Sequence, residues 1–407
     1  MTSDTGAGHA FAETLARIRS ADETLKAFVH IAADPPDPEE AAAGRPDLPL
    51  AGLSVAIKDL IDTADFPTGY GSLVYRDHRP AMDAAIVAAL KQAGARIVGK
   101  TTTTEFATWP PTKTVNPHDH RHTPGGSSAG SAAAVGAGLV PVAFGSQTKG
   151  SVIRPASFCG VVGFKPSFNR FSRAGVKMLS ESLDTVGLFA GNVALARRVY
   201  EVVANDVSVP AEGPFRLAFC RTAQWGEVSA DARSVIENGI ARLREAGLAI
   251  DELELPPAFA DLPRHAATVH DYEMQRSLLP ELLCARERID ASLAGAIEAA
   301  SRLTAGDHAD ALQFIAARRA ELPAAMGAYD ALLCAAATGE APLGLADTGS
   351  PIMNISWTAL YVPCITLPRF KGPAGLPIGL QVVGRPYRDV QLLAIAADLE
   401  RLLKECA

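Results

Sequence analysis

The chain has 407 residues, enough for a large buried core, and its 38 Lys and Arg against 45 Asp and Glu give a formal net charge of −7. With no basic run to track a phosphate backbone, that balance speaks against nucleic acid as a partner. Hydrophobic residues at 48%, charged residues at 20% and 34 glycines exclude a disordered or fibrous chain.

Residues 1–10 carry Asp4 among small and polar residues, where an export signal needs basic residues before an apolar stretch, so no secretory leader is expected. Apolar residues at three- and four-residue intervals predict a helix over 10–19. The stretch 34–49, rich in Pro, Asp, Glu and Ala, reads as a surface connection. A short apolar strand is expected at 53–57, ending on Lys58, then a helix at 81–93 and a strand at 96–98. A helix at 128–138 and a strand at 140–144 follow. The apolar run 129–145 is largely Ala and Gly, is broken by Pro141, and falls short of the roughly 20 residues a membrane span needs, so no membrane association is expected.

Further on, strands at 216–219, 248–253, 331–334, 362–367 and 378–383 alternate with helices at 193–204, 230–246 and 389–404. Between them, 258–327 is helical in pattern without a strand. The alternation predicts the α/β class: one domain over 1–407, a large sheet covered by helices, with a mostly helical insertion at about 258–327. The six cysteines show no C-x-x-C spacing and mostly sit in apolar surroundings, which suits reduced thiols in the cytoplasm.

Three stretches carry chemistry. In Thr123-Pro-Gly-Gly-Ser-Ser-Ala-Gly-Ser131, Pro and paired Gly make a tight turn at a helix mouth, where Ser127 or Ser128 serves either as an N-cap or as a reactive hydroxyl. A second turn, Gly145-Ser-Gln-Thr-Lys-Gly-Ser-Val-Ile-Arg-Pro155, follows a strand and makes Ser151 a candidate nucleophile with backbone amides aimed at one point. Ile153 stands where the α/β-hydrolase elbow needs Gly, so a base other than His is required. Lys58, ending an apolar strand, is either a snorkelling surface lysine or a desolvated amine able to accept a proton near pH 7 to 8.

Together, Val55-Ala-Ile-Lys-Asp59, Pro124-Gly-Gly-Ser-Ser-Ala-Gly-Ser131 and Lys149-Gly-Ser-Val-Ile-Arg-Pro155, leading into Phe158-Cys-Gly-Val-Val-Gly-Phe-Lys-Pro166, resemble the amidase signature family of serine hydrolases. The resemblance runs over about 52–185, with a weaker echo at 376–384. It implies a mixed sheet surrounded by helices, Lys58 as base, Ser127 as a bridging serine after a cis peptide at Gly126, and Ser151 as nucleophile. It also implies that the backbone N–H groups of Thr148, Lys149, Gly150 and Ser151 hold the oxyanion, contacts worth on the order of 3 kcal/mol each.

The family usually has Gly-Gly where this chain has Lys149-Gly150, and its common Asp is Gln147 here. If that position demands φ > 0, a lysine costs about 1 kcal/mol or more. Its side chain then faces solvent, grips the substrate or impairs the site. Arg154, three residues after Ser151, resembles the carboxylate-binding arginine of the malonamidase-like branch, unless it pairs with a structural carboxylate. His118, His120 and His122 share one face if extended, but nothing completes a metal site, and neither metal nor cofactor is expected. Trp109, Pro110 and Pro111 read as a wall near the site; Glu273, Gln275 and Arg276 are further candidates for lining it.

The implied function is an amidohydrolase of a small, carboxylate-bearing amide that releases ammonia. Alternatives are a hydrolase of carboxylated ureas (allophanate or carboxybiuret type), the amidase subunit of a tRNA-dependent amidotransferase, and a silent protein that keeps the fold. The expected partner is a small-molecule amide, and a homodimer follows only from the resemblance.

Overall fold

The computed structural model describes residues 5–33, 47–210 and 213–405. In chain order the strands are β1 (Phe28–Ile31), β2 (Ser54–Lys58), β3 (Arg96–Thr101), β4 (Val142–Gln147), β5 (Val162–Lys165), β6 (Thr185–Ala190), β7 (Leu217–Cys220), β8 (Ile250–Leu253), β9 (Ala331–Ala335), β10 (Cys364–Lys371) and β11 (Pro377–Gly384). The helices are α1 (Thr5–Leu25), α2 (Ala85–Gln92), α3 (Ala129–Gly136), α4 (Ile153–Cys159), α5 (Val193–Val203), α6 (Ala230–Glu245), α7 (Leu262–Ser277), α8 (Leu279–Ala285), α9 (Ala291–Ala300), α10 (Ala305–Ala325), α11 (Ile352–Ala359) and α12 (Asp389–Glu405).

All the strands join one mixed sheet in the order β1-β3-β2-β4-β6-β5-β10-β11-β9-β7-β8. β2 pairs in parallel with β3 and β4, and β7 with β8 and β9, while the middle of the sheet is antiparallel. Strand alternation sorts the apolar side chains onto two faces. Val55 and Ile57 join α2, α5, α6 and α12 in one core, whereas Ala56 packs with α1, α3 and α4 in another. Ala218, Cys220, Leu332 and Cys334 extend the second face beneath α7, α10 and α11. Both faces are therefore covered by helices, as the α/β reading expected.

Every predicted strand and helix has a counterpart, and 258–327 folds as α7 to α10 with short 3₁₀ turns. Three strands and two helices have no counterpart among the expected elements. β5 and β6 are short and buried along their whole length, without the alternation that marks a strand. α4 has the sequence of a turn, because Pro155 sits inside it; at the third helical position its missing N–H costs nothing. α11 lies in a stretch whose pattern is irregular. The connection at 34–49 lies, over 34–46, outside the described residues, as does Cys406. Among the described residues no helix is long and apolar enough to cross a membrane.

Candidate active site

β2 delivers Lys58 at its C-terminal end, on the face covered by α3 and α4, and closes it off completely from solvent. Its ammonium nitrogen lies 2.8 Å from Ser127 Oγ and 2.9 Å from Ser146 Oγ, with no carboxylate within ion-pairing distance among the described residues. Burial pushes the Lys58 pKa down to about 7, with Asp184 opposing the shift from nearby. A lysine at that value is half neutral near pH 7 and can take a proton. Ser146, on β4, is a second lysine partner that the sequence does not single out; it sits one residue after the glycine following the predicted strand.

The first turn is fastened from several sides. The Gly126–Ser127 peptide is cis. Thr104 N donates to Ser127 O (3.2 Å), Arg154 Nη2 to Gly126 O (2.6 Å), and Asn116 Nδ2 to Thr123 O (3.1 Å). Ser128 precedes α3 but makes no capping bond; its hydroxyl donates to Ser146 O (3.3 Å), tying the helix mouth to β4. The N-cap reading of this serine is thereby replaced. Gly130 is required in α3, since a Cβ there would stand 2.1 Å from Ala27 O and 2.4 Å from Thr102 N.

The second turn runs from the end of β4 into α4. Gln147 Oε1 accepts from Val152 N (2.9 Å) and Ile153 N (3.0 Å), satisfying amides at the start of α4, and Gln147 Nε2 donates to Thr358 Oγ1 (2.9 Å). Thr358 Oγ1 in turn donates to Lys149 O (3.0 Å). With its inner side anchored, the turn leaves the N–H groups of Thr148, Lys149, Gly150 and Ser151 without an acceptor among the described residues. Gly150 has no room for a side chain, as a Cβ would meet Asn354 Oδ1 at 2.5 Å. Ser151 is 8% exposed and Ser127 1%. The structure brings Lys58 and Ser127 into contact, while no hydrogen bond joins the hydroxyls of Ser127 and Ser151; such links are often long before substrate binds.

Lys149 is not among the residues with positive φ, so the turn exacts no backbone penalty for replacing a glycine there. Its side chain is half-buried rather than turned to open solvent. Arg154 is buried, with Nη1 donating to Gly349 O (2.5 Å) and Nη2 to Gly126 O and Thr348 Oγ1 (3.3 Å). Burial lowers its pKa to about 10, with Asp347 opposing.

Two contributors lie outside the sequence reading. Asp184 accepts from Thr148 Oγ1 (2.6 Å), Leu179 N (2.6 Å) and Ser180 N (3.0 Å), and burial raises its pKa. α11 supplies Thr358 and Asn354, one helical turn apart, to the nucleophile turn; their i, i+4 spacing was the available signal. Glu273 is joined to Asp184 through Ser180, whose hydroxyl donates to it; it also accepts from Ser182 N (3.0 Å) and the Ser182 hydroxyl, and lies 2.9 Å from His308 Nε2. Trp109 Nε1 reaches Ser292 Oγ (3.3 Å). The three histidines part company: His118 Nε2 lies 2.9 Å from Cys159 O, His122 Nδ1 lies 2.7 Å from Ala341 O, and His120 is exposed.

The protein-family model described as Amidase matches residues 10–393. A chloroplastic/mitochondrial glutamyl-tRNA(Gln) amidotransferase subunit of Oryza sativa subsp. indica is 31% identical over 471 aligned positions, which take in 97% of this chain and 85% of that protein. A solved structure described as an amidase is 29% identical, with a TM-score of 0.87 over 97% of this chain and 96% of that one. Another, from a vestigial protein complex described as revealing the evolutionary origins of an s-triazine catabolic enzyme, is 25% identical with a TM-score of 0.87, covering 98% and 95%.

Proposed function

The chain belongs to the amidase family, and on that premise we propose that it hydrolyses a small, carboxylate-bearing amide through Ser151, Ser127 and Lys58, releasing ammonia. One observation carries the reading: a lysine sealed from solvent, lacking a carboxylate partner among the described residues, with its amine 2.8 Å from a serine hydroxyl. Burying a lysine away from any carboxylate disfavours its charged form. An unpaired one held near pKa 7 suits a base.

Neutral Lys58 takes the proton of Ser127 as Ser127 takes that of Ser151, and Ser151 Oγ attacks the amide carbonyl. The tetrahedral oxyanion falls to the free amides of Thr148, Lys149, Gly150 and Ser151. Collapse breaks the C–N bond; the leaving nitrogen takes a proton from Ser127, which regains one from Lys58, and ammonia departs. Water, activated by the same relay, opens the acyl-enzyme and frees the acid. The carboxylate preference rests on Lys149, a half-buried cation two residues before Ser151 whose ammonium has no partner among the described residues.

The amidotransferase subunit is a second reading, drawn from the relative named above. Its alignment of 471 positions outruns the 407 residues of this chain, so the relative carries segments that have no counterpart here. Ureas bearing a carboxylate would use the same residues. The test is ammonia release from malonamate, malonamide, allophanate and an aryl amide by the wild type and Ser151→Ala. Release from an acid amide by the wild type alone is expected. Equal release by Ser151→Ala, or none from any substrate, overturns the reading.

A further inference from the structure

The two cations beside the nucleophile are employed very differently. All the hydrogen bonds of the Arg154 guanidinium go to Gly126 O, Gly349 O and Thr348 Oγ1, inside the protein. Its Nε is buried and has no hydrogen-bond partner in the protein. Arg154 thus holds the carbonyl one residue before Ser127, with three of its N–H donors spent inside the protein.

Lys149 has the opposite character. Its carbonyl is pinned by Thr358, so the residue is fixed two positions from Ser151, yet its ammonium has neither a hydrogen bond nor an ion pair among the described residues. Surrounding protein desolvates it and lowers its pKa; Asp271 on α7 pulls the other way, and Arg154 adds to the lowering. Asp271 is already engaged, 2.7 Å from His270 Nδ1. A half-buried ammonium without a partner is an unfavourable arrangement that an arriving anion relieves.

Building on the amide-hydrolase reading, we propose that Lys149 is the specificity residue of this site, binding a substrate carboxylate close to the carbonyl that Ser151 attacks, while Arg154 is a positioning residue. The substrate class is then a short amide of a dicarboxylic acid in which one carboxyl remains free. Neutral diamides lose the contact.

The test compares malonamate with malonamide, which differ by one charged group, in the wild type, Lys149→Met and Lys149→Arg. The ratio of their kcat/KM values is the readout, because general damage to the turn lowers both together. Lys149→Met lowers the ratio by about tenfold or more, through KM for malonamate, and Lys149→Arg restores part of it. In parallel, malonate binding is measured by calorimetry on Ser151→Ala and on Ser151→Ala carrying Lys149→Met, with binding lost in the second. An unchanged ratio, or unchanged malonate binding, overturns the assignment of Lys149. If no amide is hydrolysed but malonate binding still depends on Lys149, the hydrolase reading fails and the carboxylate site stands.

Discussion

The two faces of the β2–β3 pair each bury a lysine, and the contrast between them separates a base from a strut. Ile57 and Lys100 are in register on one face, and Lys58 and Thr101 on the other. Lys100 Nζ sits 3.2 Å from Asp59 Oδ1 and donates to Thr68 Oγ1 (2.5 Å); burial pushes the lysine down and the aspartate up, and each opposes the other's shift. Lys58 meets only the hydroxyls of Ser127 and Ser146 among the described residues. Adjacent strands, the same residue type and the same burial therefore give different chemistry, decided by whether a carboxylate is in reach.

Removing each lysine gives the sharpest separation. Lys58→Met, like Ser151→Ala, lowers kcat/KM by about 10⁴-fold, since members of one relay fail together. Its melting temperature stays close to that of the wild type, because no buried carboxylate is stranded. Activity assay and thermal melt on the same preparation decide the matter; an Lys58→Met protein that unfolds would erase the contrast.

Lys100→Met behaves in reverse. Asp59 is left buried without its counter-charge, and unfolding free energy falls by about 3–5 kcal/mol, measured by urea denaturation. Adding Asp59→Leu recovers most of that loss, as replacing both partners of a buried pair by apolar side chains is close to neutral. No recovery would mean that Lys100 contributes packing rather than charge.

pH tests the catalytic face alone. Lys58 must be neutral to act, and its pKa lies at about 7, so kcat/KM is level above that pH and falls about tenfold per unit below it. Activity is therefore gained as pH rises through 7, in the direction set by loss of a proton from an amine. A fall in activity with rising pH through that region would assign the titration to another group.

How much of this is legible in the sequence follows the range of the interactions. Lys58, Ser127 and Ser151 stand in local patterns of Gly, Pro and Ser at strand ends and a helix mouth, so a single pass along the chain finds them, as it finds most strands. The backbone constraint expected at Lys149 falls elsewhere: its φ is negative, and Gly150 carries the constraint instead, through Asn354, about two hundred residues away. The carbonyl of Gly349 that engages Arg154 is equally distant in sequence, and α11 carries no pattern that marks it as support for the nucleophile. Sequence reading thus reaches the reacting groups and misses what holds them.

That support yields the smallest effect, and again the two faces differ. Thr358 Oγ1 joins Gln147 Nε2 to Lys149 O. Thr358→Val leaves both unpaired at a cost of about 1–3 kcal/mol and loosens the turn whose amides face the oxyanion. Thr68→Val removes a hydroxyl from Lys100 at a similar cost in stability. Only Thr358→Val should also lower kcat, by about tenfold with little change in KM, because its hydroxyl steadies donors that act in the transition state. Equal kcat values for the two variants would mean that the nucleophile turn keeps its shape without α11, and that the amides alone define the site.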